Sequence, residues 1–351
     1  MPGKIPVGVL GATGAVGQKF VTLLEDHPWF ELTELAASDR SAGKSYKEAA
    51  IWRQYKPIPE RLRKQTVKPC EPTLDCKIVF SGLDSSVAGE IEENFARAGY
   101  IVLSNSKNHR MDQDVPLLVP EINPEHLGLI EFQREQRGWS GALVTNPNCT
   151  TIGLVMALAP IHRAFGATRV IVATMQALSG AGYPGHSATD MLGNVIPFVS
   201  GEEDKLETEP LKIMGKLERD HIRFADCRIS GHCNRVFVED GHTECVSLEL
   251  EKKATPAEVA RVLAEFRSIP QELRLPSAPD RPVIVTDEKD RPQPRFDRDA
   301  GNGMSAVVGR IRECPVFDIR FVVLSHNTIR GAAGAAILNA ELMKARGYLE
   351  Y

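Results

Sequence analysis

Residues 11–17 read GATGAVG, and they lie between an apolar run, IPVGVL (5–10), and a segment in which Val16, Phe20, Leu23 and Leu24 recur at helical spacing. A strand, a glycine turn and a helix in immediate succession leave a chain few folds. Gly11, Gly14 and Gly17 permit the tight turn and let a pyrophosphate approach backbone N–H groups at the helix N-terminus, where the helix dipole favours anions. Gly11, Thr13, Gly14, Ala15 and Val16 are therefore candidate dinucleotide contacts. The spacing is G-x-x-G-x-x-G rather than G-x-G-x-x-G, so taken alone it also fits a merely structural turn; its place at the opening of the first strand–helix unit carries the reading.

The alternation continues. Pro28 stops the helix and ELTELAAS follows as a strand; KIVFSGL (77–83), a helix over 85–100, YIVLSNS (100–106) and GALVTN (141–146) come next. This predicts an α/β fold over residues 1–148, a Rossmann-like doubly wound parallel sheet covered by helices. Residues 149–326 differ: after a helix at 150–165, long strands such as ATRVIVATMQALSG, GMSAVVGRIRE and FDIRFVVLSH dominate. They predict an α+β catalytic and dimerisation domain whose mixed or antiparallel sheet carries helices on one side. Asp240-Gly241 reads as a two-residue hairpin turn, which sets Glu239 opposite His242 and puts Arg235, Phe237, Glu239 and His242 on one sheet face. The small-residue-rich last helix, within 327–351, is expected to pack back on the first domain.

Two domains suit 351 residues that are 42% hydrophobic. A net charge of -4 with both signs interspersed argues against a protein that coats nucleic acid or an anionic membrane, and points to a small-molecule partner. No window reaches the length of an apolar membrane span, and seven scattered cysteines suit a reducing compartment, so the chain is read as cytoplasmic.

The second strand ends AASDRSAGK, with Ser38, Arg40, Ser41 and Lys44 around a lone Asp39. Hydroxyls and cations there suit a 2′-phosphate, so NADP is favoured over NAD, although a solvated charged loop would read the same way. Cys149, in TNPNCTTIGL, follows a strand and precedes an apolar run, which puts its thiol at a helix N-terminus where partial positive charge is expected to lower its pKa. Asn148 and nearby N–H groups are candidate oxyanion donors. The thiol needs a proton-transfer partner; His242 is preferred over His186, His232 and His326. No metal is expected: Cys227, His232, Cys233, His242 and Cys245 cluster in sequence, but strand alternation scatters them.

With these residues assembled, the chain resembles the aspartate-semialdehyde dehydrogenase family, of the archaeal and fungal type, over essentially its whole length. The matching stretches are GATGAVGQ, SNSKNHRMDQDVPLLVPEIN, NPNCTTIG, MQALSGAGYPG, SGEEDKLETE, CNRVFVEDGH and SHNTIRGAAG. The resemblance implies NADP-dependent reductive dephosphorylation of L-aspartyl 4-phosphate to L-aspartate 4-semialdehyde, in lysine, threonine and methionine biosynthesis, with inorganic phosphate as the other small-molecule partner. It also implies a thioester on Cys149, His242 as acid/base and Gln176 orienting the acyl group. By the same resemblance Arg235 clamps the substrate carboxylate, Glu202 or its neighbour Glu203 meets the ammonium, and Lys205, Arg110 and Asn148 receive phosphate. Ser81, Gly82, Asn105, Gly180 and Asn327 line the cofactor cleft. Members form dimers and tetramers, so a homodimer or homotetramer built on an apolar face of the second sheet is expected. Malonyl-CoA reductase on the same scaffold and a non-catalytic NADP-binding regulator remain alternatives.

Overall fold

The computed structural model describes residues 3–349, so residues 1–2 and 350–351, the ends of the expected spans 1–148 and 327–351, lie outside the described residues. The first sheet contains β1 (Ile5–Leu10), β2 (Phe30–Ala37), β3 (Lys68–Pro69), β4 (Ile78–Ser81), β5 (Ile101–Ser104) and β6 (Ala142–Thr145). They are all parallel, in the order β3-β2-β1-β4-β5-β6. Helices cover both faces, so the strands are buried on both sides and read as continuous apolar runs. Val7, Val9, Ile78, Phe80, Leu103 and Val144 pack into one core, while the intervening Leu10, Val79, Val102 and Leu143 pack into another on the opposite face. The order reverses between β1 and β4, and in such sheets a ligand crevice opens at the carboxyl ends of the strands beside that reversal. Gly11 follows β1 there and Gly82 follows β4.

The second sheet comprises β7 (Ala167–Gln176), β10 (Arg228–Arg235), β11 (His242–Leu250), β12 (Val283–Val285), β13 (Ala306–Glu313) and β14 (Ile319–Ser325), with a separate ribbon of β8 (Lys216–Leu217) and β9 (Ile222–Arg223). Its order is β10-β7-β11-β14-β13-β12. It is mixed: β7 runs parallel to β10 and β12 to β13, while the other pairings are antiparallel. Helices Cys149–Phe165, Glu202–Ile213 and Pro256–Glu265 cover one face.

Two expectations change. β10 and β11 do not form a hairpin, because β7 lies between them; residues 236–240 instead pass alongside the end of β7, with Leu178 and Ser179 donating to the carbonyls of Val238 and Glu239. Alternation had indicated two strands joined by a turn, but it carries no information about which neighbour each strand chooses. The outward face of the sheet is also not apolar: Ile171, Ala173, Cys245 and Val322 stand beside Arg169, Glu249, Ser247 and Arg320.

The chain ends with a π-helical turn, Ile329–Ala333, leading into helix Gly334–Ala345, whose Ala336, Ile337, Ala340 and Met343 pack into the core shared with Val7 and Phe20. Arg330 in that turn makes a two-pronged ion pair with Glu121, at 2.8 and 2.6 Å, with both side chains fully buried. Removing one partner strands the other charge away from water. Arg330→Met should therefore destabilise the fold by about 3–5 kcal/mol, and Arg330→Met with Glu121→Gln should recover part of the loss. Urea unfolding midpoints measure both; a single variant as stable as the parent would show that the pair contributes nothing.

Candidate active site

β6 ends at Thr145, and Asn146-Pro147-Asn148 turns the chain into helix Cys149–Phe165, so Cys149 is its first residue. Asn148 is the N-cap: its Oδ1 accepts from the amides of Thr150 at 2.9 Å and Thr151 at 3.2 Å. The Cys149 Sγ lies 3.2 Å from His242 Nε2. On the far side of the ring, the Ala177 amide donates to His242 Nδ1 at 3.0 Å. A nitrogen that accepts carries no proton, so the proton of the neutral imidazole sits on Nε2 and faces the sulfur.

The expected low thiol pKa is corrected. Burial, with the Glu202 carboxylate second, pushes the Cys149 thiol up to about 12, against the charges of Arg110, Arg235 and Lys205. Burial, helped by the charges of Arg235 and His326, pulls His242 down to about 3. Desolvation acts on both groups in the direction of their uncharged forms, and the neutral pair is favoured.

Glycines let the backbone close around this pair. A Cβ on Gly180 would come within 2.9 Å of Arg235 Nη1 and 3.2 Å of His242 Nε2, and one on Gly331 within 2.7 Å of Cys149 Cβ. Gly180, expected along the cofactor cleft, thus also packs against the imidazole. His242 opens β11 after Gly241, whose φ of 102° suits glycine. Asn327 fixes this corner, its Oδ1 accepting from the Gly241 amide and its Nδ2 donating to Ser179 Oγ, both at 2.8 Å. Of the rival histidines, His186 and His232 are exposed and His326 is buried beside Thr328.

Helix Glu202–Ile213 lays charges along one face at positions 202, 205, 209 and 212, a spacing that keeps them in line. Glu202 Oε1 accepts from Lys205 Nζ at 2.7 Å, and the Asn148 Nδ2 donates to both Glu202 oxygens at 2.9 Å. Gln176, at the end of β7, approaches Glu202 at 3.4 Å. Glu203 points elsewhere, to the Cys233 amide, so Glu202 is the carboxylate that faces the thiol corner. Asn148, expected to receive phosphate, has its oxygen committed to the helix cap and its amide to Glu202, which leaves it a holding role in this structure. Arg235 donates from Nη1 to the Ala177 carbonyl, while its buried Nε has no partner among the described residues; Arg110 Nε is in the same condition. Buried donors are normally paired, so both guanidinium groups are suited to an incoming anion.

Several functional residues were not picked out from sequence. Glu209 and Lys212, further along the helix that carries Glu202, were not singled out, yet both are buried. Their spacing from Glu202 was the available signal. The Ala177 amide and Gly331 act through backbone and left no signal.

The crevice beside β1 and β4 fits a dinucleotide. Gly14 caps helix Ala15–Leu24 without a side-chain hydrogen bond, so the first N–H groups are not capped by its own side chain. Gly11 has φ 74°, and a Cβ there would press to 2.8 Å from the Gly82 carbonyl oxygen. Thr13 is tied down by Gln18, which donates to its carbonyl at 2.9 Å, and Val16 packs against Gly82. Ser81 ends β4 fully buried, and Asn105 bridges the Ser81 carbonyl at 3.1 Å and Asn146 at 2.8 Å. Ser38 and Arg40 are exposed in the turn after β2, with Ser41 half-buried. Among the described residues, no group of three His, Cys, Asp or Glu side chains could hold a metal ion, and no helix is long and apolar enough to cross a membrane.

Residues 6–130 match the family described as semialdehyde dehydrogenase, NAD binding domain, and residues 158–330 match semialdehyde dehydrogenase, dimerisation domain. The aspartate-semialdehyde dehydrogenase of Archaeoglobus fulgidus is 54% identical over 341 residues, covering 97% of this chain and 98% of its own. That of Saccharomyces cerevisiae is 45% identical over 365 residues, covering 99% and 100%. The crystal structure of the Candida albicans enzyme with NADP superposes with a TM-score of 0.92 at 45% identity, covering 99% of this chain and 100% of that one. With relatives this similar along nearly their whole length, and with a nicotinamide-dinucleotide domain followed by a dimerisation domain, the chain belongs to the aspartate-semialdehyde dehydrogenase family.

Proposed function

We propose that the protein reduces L-aspartyl 4-phosphate to L-aspartate 4-semialdehyde with NADP as cofactor, through a thioester on Cys149. The observation that carries this reading is a thiol on a helix N-terminus, 3.2 Å from His242 Nε2, with Arg110, Arg235 and Lys205 close enough for their charges to act on the sulfur. The names of the relatives support the substrate, and the NADP in the Candida albicans structure supports the cofactor.

The buried, unpartnered edge of Arg235 takes the substrate α-carboxylate, and Glu202 takes the α-ammonium in place of the Lys205 ammonium it now holds. Lys205, released, joins Arg110 on the phosphate, a compact dianion that suits this cluster better than coenzyme A would. Pairing Glu202 with a substrate ammonium also cancels the carboxylate charge that opposes the Cys149 thiolate.

The sulfur then attacks the acyl carbon: a C–S bond forms, the thiol proton passes to the departing phosphate, the C–O bond to phosphate breaks, and phosphate leaves with that electron pair. Gly11, Thr13, Gly14, Ala15 and Val16 hold the pyrophosphate, Ser81, Gly82, Asn105 and Asn327 line the crevice, and the bound cofactor supplies the hydride that reduces the thioester. His242 Nε2–H donates to the oxyanion on the substrate and then to the thiolate as the C–S bond breaks. The thiolate regains its proton from solvent, so His242 serves throughout as a hydrogen-bond donor, consistent with the resting tautomer. The dimerisation domain supports assembly as a homodimer or a dimer of dimers.

Phosphate-dependent oxidation of L-aspartate 4-semialdehyde, followed by NADPH formation, tests the assignment. Activity should require phosphate and should fall by about four orders of magnitude or more in Cys149→Ala. Turnover only with malonyl-CoA would overturn it. Arg40→Ala should raise KM for NADP about tenfold and leave KM for NAD nearly unchanged, since one charge-assisted contact is lost; equal use of NADP and NAD by the parent would sink the 2′-phosphate reading. For alkylation of Cys149 by iodoacetamide, the thiolate-forming midpoint should lie above the ordinary thiol range. A raised pKa means the proton is held as pH rises, so Glu202→Gln, which removes a raising charge, should shift the midpoint down, and Arg235→Leu should shift it up. Shifts in the opposite directions would contradict this electrostatic account.

A further inference from the structure

Glu209 is 2% exposed, at the centre of the charged helix face, and lies outside the roles assigned above. Its two oxygens serve two different elements. Oε1 accepts from Arg110 Nη1 at 2.9 Å, and Oε2 accepts from the Asn148 backbone amide at 2.7 Å. The Asn148 amide is that of the N-cap residue, which a glutamate three residues on often satisfies from within the same helix. Here position 151 is threonine, and the carboxylate arrives from a second helix instead.

Arg110 is held in two further ways. Its Nη2 donates to the Asn105 carbonyl at 2.8 Å. Lys212, one turn beyond Glu209 and 1% exposed, donates to the carbonyls of Arg110 and Asp112 at 2.7 Å and of Val115 at 2.8 Å, pinning the loop that carries the arginine. What stays unengaged is the buried Nε. A flexible side chain bearing one of the phosphate-directed charges is thus reduced to a single orientation, and the same carboxylate sets the backbone immediately before the nucleophile.

We propose that Glu209 is a positioning residue of the phosphate subsite, acting through Arg110 and tying that cation to the Asn148–Cys149 corner without touching substrate itself. The proposal rests on the reading of phosphate as co-substrate given above, and predicts a selective effect. A free Arg110 would swing among rotamers and bind phosphate at an entropic cost that the aldehyde and the dinucleotide do not share.

The test is KM for phosphate, for L-aspartate 4-semialdehyde and for NADP, measured separately in the oxidative direction for the parent, Glu209→Ala, Glu209→Gln, Arg110→Ala and the Arg110→Ala/Glu209→Ala double variant. Glu209→Ala should raise KM for phosphate about 10- to 100-fold, the effect of unpairing one buried charged partner, with the other two KM values within about threefold. Glu209→Gln keeps an acceptor for the Asn148 amide but loses the charge beside Arg110, so it should show the same selective rise with a smaller fall in thermal stability; it carries the test if the alanine variant does not fold. In the Arg110→Ala background the second substitution should change KM for phosphate no further. An unchanged KM for phosphate in a folded variant, an equal rise in all three KM values, or additivity with Arg110→Ala would each overturn the positioning role while leaving the proposed function intact. A parent enzyme that oxidises the aldehyde without phosphate would overturn the function and this proposal with it.

Discussion

The position of the first turn of helix Cys149–Phe165 governs everything in the cleft. From Thr150 to Ile161 every residue is buried, and most of its apolar side chains pack under the second sheet. A helix buried on all sides cannot slide or rotate without opening cavities. Its start is tied to the end of β6, and its first residue meets the backbone of Gly331. The thiol is therefore held by two cores at once, and the other functional groups converge on a point that is already immobile.

That immobility comes with a dry, crowded setting, and the electrostatics follow from it. Desolvation pushes the thiol and the imidazole toward their neutral forms, and the nearby cations work against that at the sulfur. The carboxylate of Glu202 is satisfied by Lys205, Asn148 and Gln176 before any substrate arrives. At Glu202 a ligand charge then replaces an internal one rather than entering an empty hole, whereas the Arg235 guanidinium, with no carboxylate partner among the described residues, is filled by the substrate. Preorganisation of this kind lets the polar groups act without rearranging at the moment of reaction.

Much of the fold was legible because it rests on local periodicity. The runs around β1, β4, β5 and β6 announced a doubly wound sheet, and the step from Asn148 into TTIGLVMALAPI announced the helix that carries the thiol. Pairing was less legible: β10 and β11 look like hairpin partners because they are adjacent in sequence, whereas β7 separates them. Charge was least legible. Glu209 and Lys212 follow Glu202 at a spacing that also describes a solvated helix face, and the loop carrying Arg110 together with the Asn148 corner turns that face into an interior. The thiol pKa went astray for a related reason: the helix dipole can be read from neighbours in sequence, but desolvation depends on everything folded around the sulfur.

The return of the chain to its first unit has a mechanical meaning. The dinucleotide-binding core uses residues from both ends of the chain, so the second sheet is an insertion connected by two backbone crossings, near 146–148 and near 326–333. These crossings touch: Asn146 donates to the Ala332 carbonyl at 3.1 Å, and Gly331 lies against Cys149. Two crossings in contact make one junction between the sheets instead of two. The nucleophile therefore sits at the seam where both crossings meet, joined to each sheet by one short length of backbone rather than carried out on either cleft wall.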